Sequence, residues 1–208
     1  MRILVTALML AVVLASSAFA GNVALSSGNG GSATAISCPS IPNCDFSSAY
    51  TAANVIDGNP AALDKWVAPG NIVDADVLIN LGGVFPINSV TVEGVGSPGE
   101  SIGFSVFVGP AGSTESSLLA STPIGTTSET EASGGGQWSV TFNIAPTSVQ
   151  YVLYEVTAAC GDPGDSCSSY DNAYANDILV NAVPEPGTIG LIGAGLLALG
   201  FSLRSRKK

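Results

Sequence analysis

Apolar residues on every second position, broken by clusters of glycine, proline and serine, constrain this chain more than any other feature. Val77, Ile79 and Leu81 alternate with opposite-facing neighbours. The same holds for Val90 and Val92, for Ile102, Phe104, Val106 and Val108, and for Trp138, Val140, Phe142 and Ile144. Period two turns one face of a strand to a core and the other to water, and no long helical period competes with it between residues 21 and 183. The run VQYVLYEVTA (149–158) is denser in β-formers and predicts a central strand, and NDILVNAV (176–183) predicts the last one. The expected fold class is all-β, an antiparallel β-sandwich. The Gly-, Ser- and Thr-rich stretches 21–36 and 109–136 read as a lead-in and a long loop, with a further pair of strands near Ser117–Thr122. No internal repeat is visible.

The amino end dictates where such a sandwich resides. Met1–Ala20 carries one charge, Arg2, then an apolar run from Ile3 to Ala15 and small residues ending in Ala18-Phe19-Ala20. This is the layout of a secretory signal peptide, with cleavage expected between Ala20 and Gly21. Residues 21–45 then form a lead-in with one cysteine pair, and 46–183 form a single domain large enough for one core. Five of the six basic residues lie outside that stretch, which leaves Lys65 against 15 acidic residues between 21 and 183. Such a surface repels phosphate backbones and excludes nucleic acid as a partner.

Export also frames the four cysteines, Cys38, Cys44, Cys160 and Cys167. An oxidising compartment pairs them, and local bridges, Cys38 to Cys44 and Cys160 to Cys167, are favoured over bridges that join the two ends. With no histidine in the chain, a zinc site or an activated cysteine nucleophile lacks its usual partner. The missing histidine, together with the absence of a nucleophile motif or a matched acid pair, argues against an enzyme.

The stretch AANVIDGNPAALDKWVA is first a turn: Gly58 allows positive φ, Asn59 tolerates it, and Asp57 can bond its own backbone. With the tryptophan and the strands DADVLINLGG, INSVTVEG and IGFSVFVGP that follow, residues 46–183 resemble the discoidin, or coagulation factor type C, family of the galactose-binding jelly-roll fold. Ala53, Asp57, Gly58, Trp66, Ile79, Leu81 and Gly82 match its pattern. Asn80 replaces an aspartate, Asp64 stands for a threonine, Leu153 for a common arginine and Asp177 for a final glutamate. The resemblance implies a structural calcium ion held by the Asn54 carbonyl, Asp57, Asn59, Asp64 and Asp177, all oxygen donors as a hard cation requires. An Asx turn without metal is the other reading of the same residues. Trp66 is expected in the core. Lys65 is the one cationic side-chain donor that the domain offers a glycan, and Tyr170 and Tyr174 are either exposed aromatics for such a ligand or residues that pack the loop.

The carboxyl end completes the layout. Ile189–Leu203 is an apolar run of 15 residues, followed by four basic residues up to Lys208. As a helix it rises roughly 22 Å, short of a hydrocarbon core of about 30 Å. The basic end fits the cytoplasmic side of the inner membrane. Pro184-Glu185-Pro186, the short span and the basic end together resemble the PEP-CTERM sorting signal of Gram-negative bacteria that make extracellular polysaccharide. That resemblance implies transient anchoring in the inner membrane, processing by an exosortase and display at the cell surface or release. The expected protein is a non-catalytic surface or matrix protein adhering to exopolysaccharide or to other surface proteins. A specific carbohydrate-binding module is the alternative. An N-terminal signal helix and a short C-terminal transmembrane helix are expected to flank the sandwich.

Overall fold

The computed structural model describes residues 21–25, 30–36, 47–59, 65–68, 75–96, 101–130, 136–160 and 174–183. One compact unit comprises Asn22–Asn181. A second takes Met1–Gly21 and Ala182–Lys208, of which Gly21, Ala182 and Val183 are described. The strands are β1 (Ser32–Ile36), β2 (Trp66–Val67), β3 (Asp76–Gly96), β4 (Ser101–Gly109), β5 (Gly125–Thr130), β6 (Gly136–Cys160), β7 (Tyr174–Ala175) and β8 (Asp177–Ala182). A 3-10 helix spans Ala52–Ile56 and a short α-helix, α1, spans Glu115–Leu119.

Two long antiparallel strands make the sandwich. β3 has 21 residues and β6 has 25. The first part of β3 (76–80) pairs with β1 on one side and with the second part of β6 on the other, and β4 and β5 extend that layer in the order β1-β3-β6-β4-β5. The second part of β3 (85–96) pairs with the first part of β6 (136–149), and β8 joins β3. Between the two parts the register slips twice, from Asn80 to Phe85 and from Ile87 to Ser89, and such bulges bend a pair and increase its twist. Gly82 supplies the left-handed turn (φ 77°), and Asn80 closes it by accepting the Gly82 N–H at 3.0 Å. Facing side chains fill the space between the layers: Phe104 of β4 stacks on Trp138 of β6 (centroids 5.7 Å apart) and meets Phe142 edge-on at 6.2 Å.

Most apolar positions of the alternation are buried, but Val108, Trp138, Val140, Phe142 and Ile144 are half-buried, and in β4 the six residues Ile102–Phe107 are buried without alternation. Val77, Ile79, Leu81, Val90, Val92, Ile102, Phe104 and Val106 are all buried, and so is Trp66. The 149–158 segment is central, lying between β3 and β4. Two segments differ from expectation. Residues 115–119 form α1 rather than a strand, because Thr114 and Ser117 make a capping box in which each side chain bonds the other's backbone N–H. Leu118 of this helix covers Phe107 and Leu153 on the outward side of the first layer, so that layer is buried on both faces. Ser32–Ile36 and Gly125–Thr130, within the stretches read as lead-in and loop, are the edge strands β1 and β5.

Cys160 ends β6 opposite Ser101. Cys38, Cys44 and Cys167, the signal-peptide residues through Ala20, and the tail from Pro184 onward lie outside the described residues, as do both expected flanking helices. Among the described residues no helix is long and apolar enough to cross a membrane.

Candidate functional site

A pocket of about 310 Å³ opens where β3 ends, β6 begins and β8 starts. Its lining comes from Glu93, Gly94 and Val95 on β3, from Gln137, Trp138 and Ser139 on β6, and from Asn176. The register sets Glu93 opposite Ser139, Val95 opposite Gln137, and Gly94 opposite Trp138. Period two therefore puts the carboxylate, the amide and the hydroxyl on one face, and Gly94 and Trp138 on the other. Gly94 is required there, since a Cβ would collide with the Trp138 indole lying across it. Asn176 pins the rim: its Oδ1 accepts the Val95 N–H at 2.7 Å and its own N–H donates to the Glu93 carbonyl at 2.9 Å.

Behind the pocket stands an aromatic group. Trp138 Nε1 donates to the Tyr174 hydroxyl at 3.4 Å, and the Tyr154 hydroxyl donates to the Tyr174 carbonyl at 2.9 Å. Burial pushes the Tyr154 phenol well above the usual tyrosine range, and the neighbouring Tyr174 adds to the effect. Lys65 Nζ sits 4.7 Å from the centre of the Tyr174 ring, a cation–π distance. Tyr174, expected as an exposed aromatic, is thus buried between Trp138 and Lys65 because β7 pairs with β2 and draws it inward. Tyr170 lies outside the described residues.

The residues expected around calcium are arranged as follows. Asp57, Gly58 and Asn59 form an exposed Asx turn: Asp57 Oδ1 accepts the Asn59 N–H at 2.8 Å, and Gly58 has φ 80°. Asn54 Nδ2 donates to the carbonyls of Ala49 (2.9 Å) and Lys65 (3.2 Å), which holds the 3-10 helix beside β2. Asp177 is buried at the start of β8. Asp64 lies outside the described residues, and among those described no three acidic or cysteine side chains converge as a metal cluster.

The sequence marks none of Glu93, Gln137, Ser139 and Asn176 as a site residue, and Trp138 only as an apolar strand position. Their signal was only that of strand positions, because cross-strand register brings them together. On one face Glu93, Gln137 and Ser139 offer an acceptor, an amide with both functions and a hydroxyl, groups that a polyhydroxyl ligand engages, while the Trp138 indole closes the opposite side against Tyr174.

With this geometry in view, the comparisons with known proteins bear on both halves of the chain. Residues 182–207 match the PEP-CTERM protein-sorting motif. These residues carry a protein-sorting motif. Such a motif implies export, transient anchoring and exosortase processing. No curated protein matches this chain. In fold the sandwich is similar to a fucolectin from striped bass serum, at 18% identity and a TM-score of 0.52, over 80% of this chain and 50% of that one. It is similar to a Ruminococcus gnavus GH29 fucosidase in complex with fucose, at 15% and 0.53, over 80% of this chain and 27% of that one. It is also similar to the family 32 carbohydrate-binding module of Clostridium perfringens NanJ in complex with galactose, at 15% and 0.50, over 78% and 97%. The chain thus spans about half the length of the lectin and about a quarter of the fucosidase. Ahead of the matched motif, residues 22–181 fold as a β-sandwich similar to these structures.

Proposed function

We propose that this is an exported, non-catalytic protein of the cell surface or extracellular matrix whose sandwich adheres to exopolysaccharide once an exosortase has processed the tail. The observation that carries the reading is the joining of a sorting motif at 182–207 to a β-sandwich whose neighbours in fold include structures solved with bound fucose and galactose. The Glu93–Ser139 pocket supports it with neutral hydrogen-bonding groups and one carboxylate. Glycoside hydrolysis takes a pair of carboxyl groups, and Glu93 is the one carboxylate among the described lining residues. Affinity electrophoresis of the protein through gels containing the polysaccharide of the producing strain should retard it, and Ser139→Trp, which fills the pocket, should restore free migration. Equal migration with and without polysaccharide would remove the reading, and turnover of a glycan would replace it with a hydrolase.

A specific carbohydrate-binding module is the second reading, favoured by the half-open hollow of about 310 Å³ between β3 and β6. A glycan array separates the two: a single saccharide preference supports the module, and weak binding across many polymers supports bulk adhesion. Calcium at Asp57, Asn59, Asp64 and Asp177, with the Asn54 carbonyl, belongs to the same proposal as a structural ion. Chelation should then lower the melting temperature, since a ligand bound only by the folded state stabilises it. Asp57→Ala should abolish that response. Identical melting curves with calcium and with chelator would dismiss the site.

A further inference from the structure

The described lining of the pocket carries one charge, the carboxylate of the half-exposed Glu93. The domain holds little to set against it. Between residues 21 and 183 the single basic residue is Lys65, against 15 acidic ones. The Lys65 ammonium lies over the Tyr174 ring, 4.7 Å from its centre, and Tyr174 accepts the Trp138 indole N–H behind the pocket. Among the described residues no side chain forms an ion pair with Glu93.

Register decides what accompanies the carboxylate. Glu93 lies directly opposite Ser139, so their Cβ atoms stand about 4.5–5.5 Å apart and both side chains leave the same face of the sheet. A carboxylate beside a hydroxyl at that spacing meets two neighbouring substituents of one pyranose ring, the carboxylate as acceptor and the hydroxyl as donor or acceptor. Two residues along on the same face, Thr91 and Thr141 share a hydroxyl bond at 2.8 Å, and Thr141 is exposed. The polar row thus extends past the first ring of an oligosaccharide.

Charge then selects among glycans. A uronate or a sulfated sugar sets like charge against Glu93, inside a field already made negative by the 15 acidic residues. A neutral sugar engages the carboxylate through hydroxyls, but it takes water from Glu93 and leaves the charge uncompensated, which weakens binding. A sugar ammonium removes that penalty, because it donates charge-assisted hydrogen bonds and cancels the charge. On the reading of this pocket as a glycan site, on which the assignment rests, we infer that it takes a polysaccharide of amino sugars whose amines are unsubstituted, with one ammonium on Glu93 and the adjacent hydroxyl on Ser139.

Calorimetric titration of the full chain in detergent, in mildly acidic buffer where a sugar amine is protonated, compares a glucosamine trisaccharide with the glucose trisaccharide of the same linkage. The two differ by an ammonium for a hydroxyl on each ring. The amine should bind about tenfold more tightly, the margin of a charge-assisted over a neutral hydrogen bond, and the margin should shrink as salt is raised. Glu93→Gln keeps the shape of the side chain and should weaken the amine about tenfold, to the level of the glucose form. Glu115→Gln on α1, outside the pocket lining, removes the same charge and should leave the preference intact, which separates Glu93 from the general attraction of a cation to an acidic protein. Equal affinity for the two trisaccharides, no binding of the amine, or a preference that survives Glu93→Gln would each overturn the inference. If Glu93→Gln does not fold, Ser139→Trp, which fills the pocket, should abolish the preference, and a preference that survives it overturns the inference equally. Retardation by the polysaccharide of the producing strain reports on the glycan reading separately, since it persists when only the amine assignment is wrong.

Discussion

Tyr154 shows how one side chain ties the core to the wall of the pocket. It is wholly buried, meets Trp66 edge-on at 6.4 Å and Phe104 at 5.3 Å, and gives its hydroxyl proton to the Tyr174 carbonyl. Because burial raises its pKa above that in the unfolded chain, its contribution to stability is fully present below the ordinary tyrosine value of about 10 and is lost as pH climbs towards the folded value. Stability should therefore fall above about pH 10, and Tyr154→Phe should flatten that fall in denaturant titrations across alkaline pH. At neutral pH the same variant should cost about 1–3 kcal/mol, because the Tyr174 carbonyl loses its buried donor. A pH slope unchanged in the variant would assign the alkaline loss to other groups.

At the scale of elements, α1 illustrates how a five-residue helix earns its place through capping and a single buried side chain. A helix this short is unstable alone, and the Thr114–Ser117 box together with Leu118 on Phe107 and Leu153 fixes it to the sheet. Leu118 is 2% exposed, and Leu118→Ala should cost about 2–5 kcal/mol in urea unfolding, with the low end expected at a site open to collapse from its rim. A cost near zero would mean that α1 does not seal the outer face. The bend shared by β3 and β6 belongs to the same scale. Gly82 and Asn80 redirect β3 so that one antiparallel strand pair serves both layers, which is why Glu93 and Trp138 reach the pocket from strands whose other halves lie in the first layer.

For the whole molecule, the sorting motif and the sandwich are separable in sequence: β8 ends at Ala182 and Pro184-Glu185-Pro186 follows. Replacing these three residues with alanine should leave signal-peptide removal and the folding of the sandwich intact while the apolar tail is retained in the inner membrane. Mass spectrometry of the surface fraction reads the result. Wild-type protein should lack Ile189–Lys208, and recovery of an intact tail from the surface of a strain with the processing enzyme would make that tail a permanent anchor.

The sequence by itself determined the fold class and the sorting motif at its carboxyl end. Strand period is a local property, legible at Ile102–Val108 without knowing any partner, and the tail is a linear motif recognised as a string. Trp66 in the core and a central 149–158 strand followed from apolar density alone. The helix at Glu115–Leu119 was within reach, since a capping box is also a local pattern. What only the tertiary structure decided was register. The pairing of Glu93 with Ser139, the clearance of Gly94 for Trp138 and the inward turn of Tyr174 all depend on which strands lie side by side. Residues far apart along the chain become neighbours only when the bulges near Asn80 and Ser89 have set the offset between β3 and β6, and no local preference encodes that offset.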